Sequence, residues 1–386
     1  MFVKDKYRYK KAIGPENLIA LFVFVLVFVL LGTQISGIDL LRSMFTIAYD
    51  LLMNTVFYIM AVAVLAGAFA GVLTEFGIVA LINRLLSPLM WPVYRLPGAA
   101  AVGIVTTFLS DNPAILTLCD DKRYRSYFKK YQLPALTNLG TSFGMGLIVI
   151  IFILSLKARP DDPMGLAIVC GVIGAMLGSV VSTRLMIRRT RKLFGTVAES
   201  DETREETPDV SIMDYREVRV GSVPRRLMDA LMEGGASGVK VGLSVIPGVL
   251  VICTLVIILT NKPDDMHAGV GLLPWIGEKL DFILMPVFGF STPDALSVPL
   301  TALGSAGAAL GLLPGLYESG KVAANDIAVF TAMCMCWSGY LSTHVAMMDA
   351  LEHRELSGAA IGSHTIGGLV AGISANWLFR LLLLIM

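Results

Sequence analysis

Apolar runs of about 20 residues recur along the whole chain and leave one class of fold open. A helix of that length crosses the bilayer's hydrocarbon. Within lipid only helices and closed barrels satisfy their own backbone groups. The runs lie at 17–36, 48–74, 133–156, 164–186, 238–260, 326–349 and 358–380. Charged residues make up 16% of the chain, against about 25% in a soluble domain. The net charge of +1 gives no reason to expect nucleic acid as a partner. The first run follows the basic residues Lys4, Lys6, Arg8, Lys10 and Lys11. No small-residue cleavage site comes after it, so it reads as an uncleaved first span.

Two further apolar stretches are interrupted in the middle. Residues 97–119 are broken by Ser110-Asp111-Asn112-Pro113, and residues 282–316 by Gly304-Ser305-Ala306-Gly307. Asp111 or Asn112 suits an N-cap and Pro113 a first helical turn, and Ser305 can cap in the same way. Positive charge in short loops marks the cytoplasmic side. One crossing at 97–119 would put Lys122, Arg123, Arg125, Lys129 and Lys130 outside, and then Arg188, Arg189, Arg191 and Lys192 as well. The stretch is too short for two crossings of about 20 residues each. A re-entrant hairpin keeps both clusters inside.

The expected fold is therefore an all-α polytopic membrane protein. It is an inverted repeat of three spans plus one re-entrant helical hairpin each, with one extra N-terminal span. The expected divisions are 1–47 for the basic N-terminus and extra span, 48–186 for the first repeat, 187–236 for a cytoplasmic linker and 237–386 for the second repeat. An odd number of spans per half inverts the halves, so the hairpins enter from opposite faces. Pro92-Val93-Tyr94 matches Pro286-Val287-Phe288, and at the same offset Ala101, Thr107 and Leu109 meet Ala295, Thr301 and Leu303. The linker carries an acidic patch, Glu199 to Glu206, then a basic amphipathic stretch to Met232. The N-terminus is expected in the cytoplasm and the protein in the inner membrane.

Broken helices in inverted repeats supply backbone dipoles for binding a solute or ion. Ser110, Asp111 and Asn112 at the first break are candidates, as are Thr301 and Ser305 at the second. Asp111 either caps the second hairpin arm or lies on a proton or cation path. Asn138, Thr141 and Ser142 share a face of the following span, where they either pack helices or touch solute. Gly140, Gly144 and Gly146 nearby favour close packing. Thr331, Cys334, Ser338 and Ser342 form a second polar stripe, with Trp337, Tyr340 and His344 beside it. Aromatics and hydroxyls together could hold a ring-shaped solute. His364 reads as structural, and Glu75 as a solvated span end.

The five cysteines, Cys119, Cys170, Cys253, Cys334 and Cys336, show no disulfide or zinc spacing. No H-E-x-x-H, G-x-S-x-G or P-loop pattern occurs, and Ser338 and His344 are six apart on one helix, so no dyad forms. The chain is not expected to be an enzyme.

The hairpin 98–118 with its Asn112-Pro113-Ala114 break, the polar span after it and the inverted second copy resemble the Gate, or nucleoside-recognition, family. That family includes concentrative nucleoside transporters, the membrane part of the bacterial ferrous-iron transporter, and spore maturation proteins A and B. The resemblance implies a central solute site between the two hairpins and the spans that follow them. The glutamate-containing hairpin signature of true concentrative nucleoside transporters is absent, and so is a GTPase domain. The expected function is ion-coupled alternating-access transport of a small polar solute, with a nucleoside as one candidate and sodium or a proton as the coupling cation. A non-transporting scaffold or partner subunit of the spore-maturation type is the alternative. The partners are the lipid bilayer and the solute, with a homo-oligomer left open.

Overall fold

The computed structural model describes residues 12–32, 36–112, 114–115, 118, 122–160, 162–195, 215–261, 269 and 271–385. Among these, every regular element is helical. Helix α1 is Pro15–Gly32 and α2 is Gly37–Glu75, continuous through a π-turn at Leu51–Val56. Then come α3 (Ile78–Tyr94), α4 (Ala100–Leu109), α5 (Leu133–Thr141), α6 (Gly146–Ser155) and α7 (Met164–Phe194). The second half has α8 (Val223–Thr260), α9 (Leu272–Phe288), α10 (Ser297–Ala302) and α11 (Ala306–Glu318). It closes with α12 (Ala324–Cys336), α13 (Tyr340–Ala350) and α14 (Ser357–Leu383).

The repeat is more regular than its sequence. Helix α3 begins at 78 and α9 at 272, α6 at 146 and α13 at 340, so one offset of 194 residues relates the halves. Each half has a long span (α2, α8), an amphipathic helix (α3, α9), a hairpin, a broken span (α5–α6, α12–α13) and a closing span (α7, α14). The basic N-terminus, the acidic patch, Pro113, Cys119 and the loop around Asp264 lie outside the described residues.

Several expected boundaries are corrected. The spans expected from 48 and 238 begin at Gly37 and Val223, because amphipathic turns continue each helix past its apolar stretch. Residues 78–94, which fall between the expected elements, form α3, with Pro88 and Pro92 inside it. The second hairpin begins at Pro293 rather than at 282, since 282–288 is the end of α9, which meets the next helix at 76°. The spans expected as continuous at 133–156 and 326–349 are each broken. Met145 (φ 56°) and Gly339 (φ 62°) are left-handed, and a left-handed residue cannot continue an α-helix.

Glycine draws the long helices together. A Cβ at Gly67 would lie 2.4 Å from the Gly234 carbonyl oxygen, and one at Gly71 the same distance from that of Ala230. Gly174 and Gly178 meet the Ala371 and Gly367 carbonyls in the same way across α7 and α14. Such close backbone approach is how helices associate where lipid offers no hydrophobic drive.

The helix ends sort onto two faces. On one, Gln132 Nε2 donates to the Arg95 carbonyl (3.1 Å), Thr190 Oγ1 to that of Tyr131 (2.6 Å), and Phe194 packs on His353. On the other, Arg159 lies over Tyr317 and donates to the Val322 carbonyl (2.8 Å). Glu75, expected to be solvated, is buried on the first face. Its carboxylate accepts from Arg219 (2.6 Å) and Arg226 (2.7 Å), and its carbonyl from Arg216. Residues 216–226 thus clasp the turn that joins α2 to α3, where Gly77 is left-handed at φ 81°. Glu233 and Glu75 together hold the Arg219 guanidinium above its ordinary pKa.

Candidate functional site

The two hairpin tips and the two broken spans converge. At the first tip, Asn112 is buried and its Nδ2 donates to the Ser338 carbonyl at the break between α12 and α13. At the second tip, the Ala302 carbonyl accepts from the Gly339 N–H at 3.1 Å. One three-residue break, Trp337-Ser338-Gly339, therefore receives both hairpins. Gly144, at the break between α5 and α6, packs against the same point. A Cβ there would lie 2.1 Å from Asn112 Oδ1 and 3.0 Å from Ser338 Cβ.

Beside this junction lies a buried polar network joining both halves. Asn138 Nδ2 shares its two protons among three acceptors, Ser363 Oγ (2.8 Å), Ser182 Oγ (3.0 Å) and the Ala360 carbonyl (3.2 Å). Ser182 Oγ meets His364 Nδ1 at 3.0 Å, and His364 Nε2 meets the Cys336 carbonyl. His344 Nδ1 meets the Tyr340 carbonyl (2.9 Å) and its Nε2 lies 3.4 Å from Thr141 Oγ1. The His344 and His364 ring centroids are 4.6 Å apart, and Tyr340 packs against both. Asn112 Oδ1, Asn138 Oδ1 and Trp337 Nε1 are buried without a partner. A buried orphan of this kind costs about 1–3 kcal/mol, which a ligand group could recover.

The expected site residues divide accordingly. Asn112, Asn138, Thr141, Ser338 and His344 come together. Ser142 is buried beside them, with its hydroxyl on the Asn138 carbonyl (2.8 Å). Ser110 turns back to the Thr106 carbonyl (2.6 Å), and Asp111, half-buried, accepts from the Asn112 N–H (2.7 Å). Thr301 bonds within its own helix, and Ser305 caps α11 through the Ala308 N–H (3.2 Å). Ser342 is exposed, because the break at Gly339 turns it away from the stripe it was expected to share with Ser338. His364, Ser182 and Ser363 were missed. His364, expected to be structural, is hydrogen-bonded within this network; a histidine between two hydroxyl residues inside an apolar run was the available signal. Among the described residues no group of three or more His, Cys, Asp or Glu could hold a metal ion.

Paired hairpins and broken spans in an inverted repeat make up a polytopic membrane fold. Residues 56–157 match the Gate family model, described as nucleoside recognition. Solved structures of the concentrative nucleoside transporter CNTnw share the fold. Its inward-facing substrate-bound state has a TM-score of 0.54 at 14% identity, covering 95% of this chain and 83% of that one. Two outward-facing states of substituted CNTnw give TM-scores of 0.54 and 0.55 at 14% and 12% identity, with 95% of this chain covered and 83% and 84% of theirs. No curated protein matches the chain.

Proposed function

We propose that this protein is a secondary transporter that moves a small polar solute, of the nucleoside class, by alternating access between its two hairpins. The observation that carries the reading is the meeting of both hairpin tips at Trp337-Ser338-Gly339. Two hydrogen bonds hold those tips, Asn112 to the Ser338 carbonyl and Gly339 N–H to that of Ala302. Parting each costs about 1–3 kcal/mol while its groups stay buried, a range that differential binding of a solute can supply. The Gate match and the shared fold with CNTnw support the same class. In this reading the orphaned Asn112, Asn138 and Trp337 atoms bind solute, and Tyr340 and His344 supply ring surfaces. In the same reading Asp111 takes the coupling proton or sodium ion. The face that carries Arg84, Arg95, Lys129, Lys130 and Arg188 is cytoplasmic by the positive-inside rule.

A thermal-shift panel of nucleosides, nucleobases, amino acids and divalent cations tests the solute class, since a binder of the folded state raises the midpoint by mass action. Uptake of a stabilising nucleoside into vesicles, with a sodium or proton gradient imposed, tests transport. A folded protein that neither binds nor takes up any of them would be a scaffold.

A further inference from the structure

The hydrogen bonds around Asn138 can have only one polarity when His364 is neutral, and that polarity fixes what the site recognises. A backbone carbonyl only accepts, so the Cys336 carbonyl requires a proton on His364 Nε2. The neutral ring then has a lone pair at Nδ1, which faces Ser182 Oγ at 3.0 Å. Ser182 has one hydroxyl proton and must give it to that lone pair. Its oxygen is left to accept from Asn138, which it meets at 3.0 Å. The Ala360 carbonyl, 3.2 Å from the same amide nitrogen, can only accept as well. The NH₂ of Asn138 is therefore turned towards α7 and α14, and its Oδ1 is the atom left over. That oxygen is buried without a partner.

We propose that the Cys336 carbonyl, acting through His364 and Ser182, presents Asn138 Oδ1 as an obligatory acceptor, so the solute must offer an N–H or O–H donor there. His364 is then a positioning residue for specificity, and touches no solute itself. The inference rests on the solute-transporter reading above and adds the hydrogen-bonding character of the ligand. The neighbours of His364 in the core are the Tyr340 and His344 rings.

Two measurements on the full-length protein test it. Nitrogen-15 NMR of histidine-labelled protein should find His364 neutral and protonated on Nε2 at pH 7. A proton on Nδ1, in either the neutral or the charged ring, reverses the relay and overturns the proposal. The second measurement compares uridine with N3-methyluridine, and each nucleoside with its N- or O-methylated partner, by thermal shift. Each nucleoside that binds should lose at least about tenfold in affinity when its donor is methylated. His364→Gln can donate to the Cys336 carbonyl and accept from Ser182 through one amide, so it should keep that discrimination. His364→Phe removes the acceptor that fixes the Ser182 hydroxyl and leaves the Ala360 carbonyl to hold the Asn138 amide, so the discrimination should weaken. Equal binding of both members of every pair overturns the donor requirement while leaving the solute reading intact. A panel in which nothing binds overturns both.

Discussion

Gly144→Ala tests whether the junction between the first hairpin tip and the second broken span is the part that moves. The added Cβ would lie 2.1 Å from Asn112 Oδ1, where ordinary contact begins at 3.4 Å, so the amide must retreat by roughly 1.3 Å. If the tip stays docked, overpacking costs about 1–3 kcal/mol. Separating Asn112 from the Ser338 carbonyl leaves buried polar groups unpaired, at about 1–3 kcal/mol more. If the tip can swing away, the protein escapes most of that cost by doing so. A bias of about 2 kcal/mol moves an equilibrium roughly thirtyfold. The assay is modification of Ser110→Cys by a water-soluble maleimide, compared with and without Gly144→Ala and corrected for the native cysteines. The expected result is a rise in labelling rate of about ten- to thirtyfold with helical content retained. Gly315→Ala is the control: nothing lies within 4 Å of its Cβ position, so it should be neutral or slightly stabilising, by up to about 1 kcal/mol. Unchanged labelling together with an unchanged unfolding midpoint in Gly144→Ala would refute the tip-to-break contact.

Three other outcomes are expected. Single cysteines at Ser126 and Ser319 should be labelled from opposite sides of the membrane, with Ser126 cytoplasmic; labelling of Ser126 from outside removes the re-entrant reading of the first hairpin. Asp111→Asn keeps a capping side chain but removes the charge, so uptake should fall or lose its ion dependence at near-normal stability; unchanged uptake and ion dependence would make Asp111 a cap alone. Glu75→Gln leaves Arg219 and Arg226 without their buried carboxylate, and should speed hydrogen exchange across residues 76–94 more than across 57–72; equal protection in both segments contradicts the clasp.

Much of the architecture was legible because lipid imposes a simple code. Length and apolarity marked the long helices, and loop charge fixed the parity that requires inverted halves and hairpins. Residues 78–94 escaped because an amphipathic helix with two prolines has neither a span's apolarity nor an uninterrupted helical pattern. The breaks at Met145 and Gly339 escaped because neither contains proline. Gly144, Gly146 and Gly339 are as common in tightly packed membrane helices as in broken ones, so a glycine's local sequence does not reveal which it serves.

The site separates along the same line. By itself the sequence determined that polar residues sit within apolar runs, which is costly enough to single out Asn112, Asn138, Ser338 and His344 as candidates. It could not determine which of them meet. Asn112 and Ser338 are 226 positions apart and Asn138 and Ser363 are 225 apart, and only the packing of one half against the other joins them. Tertiary structure also dismissed Ser342, which the turn at Gly339 rotates outward, and brought in His364, whose role depends on a carbonyl from another helix. A side chain's cost in the membrane is local and can be read residue by residue, whereas its hydrogen-bond partner is a property of two helices at once.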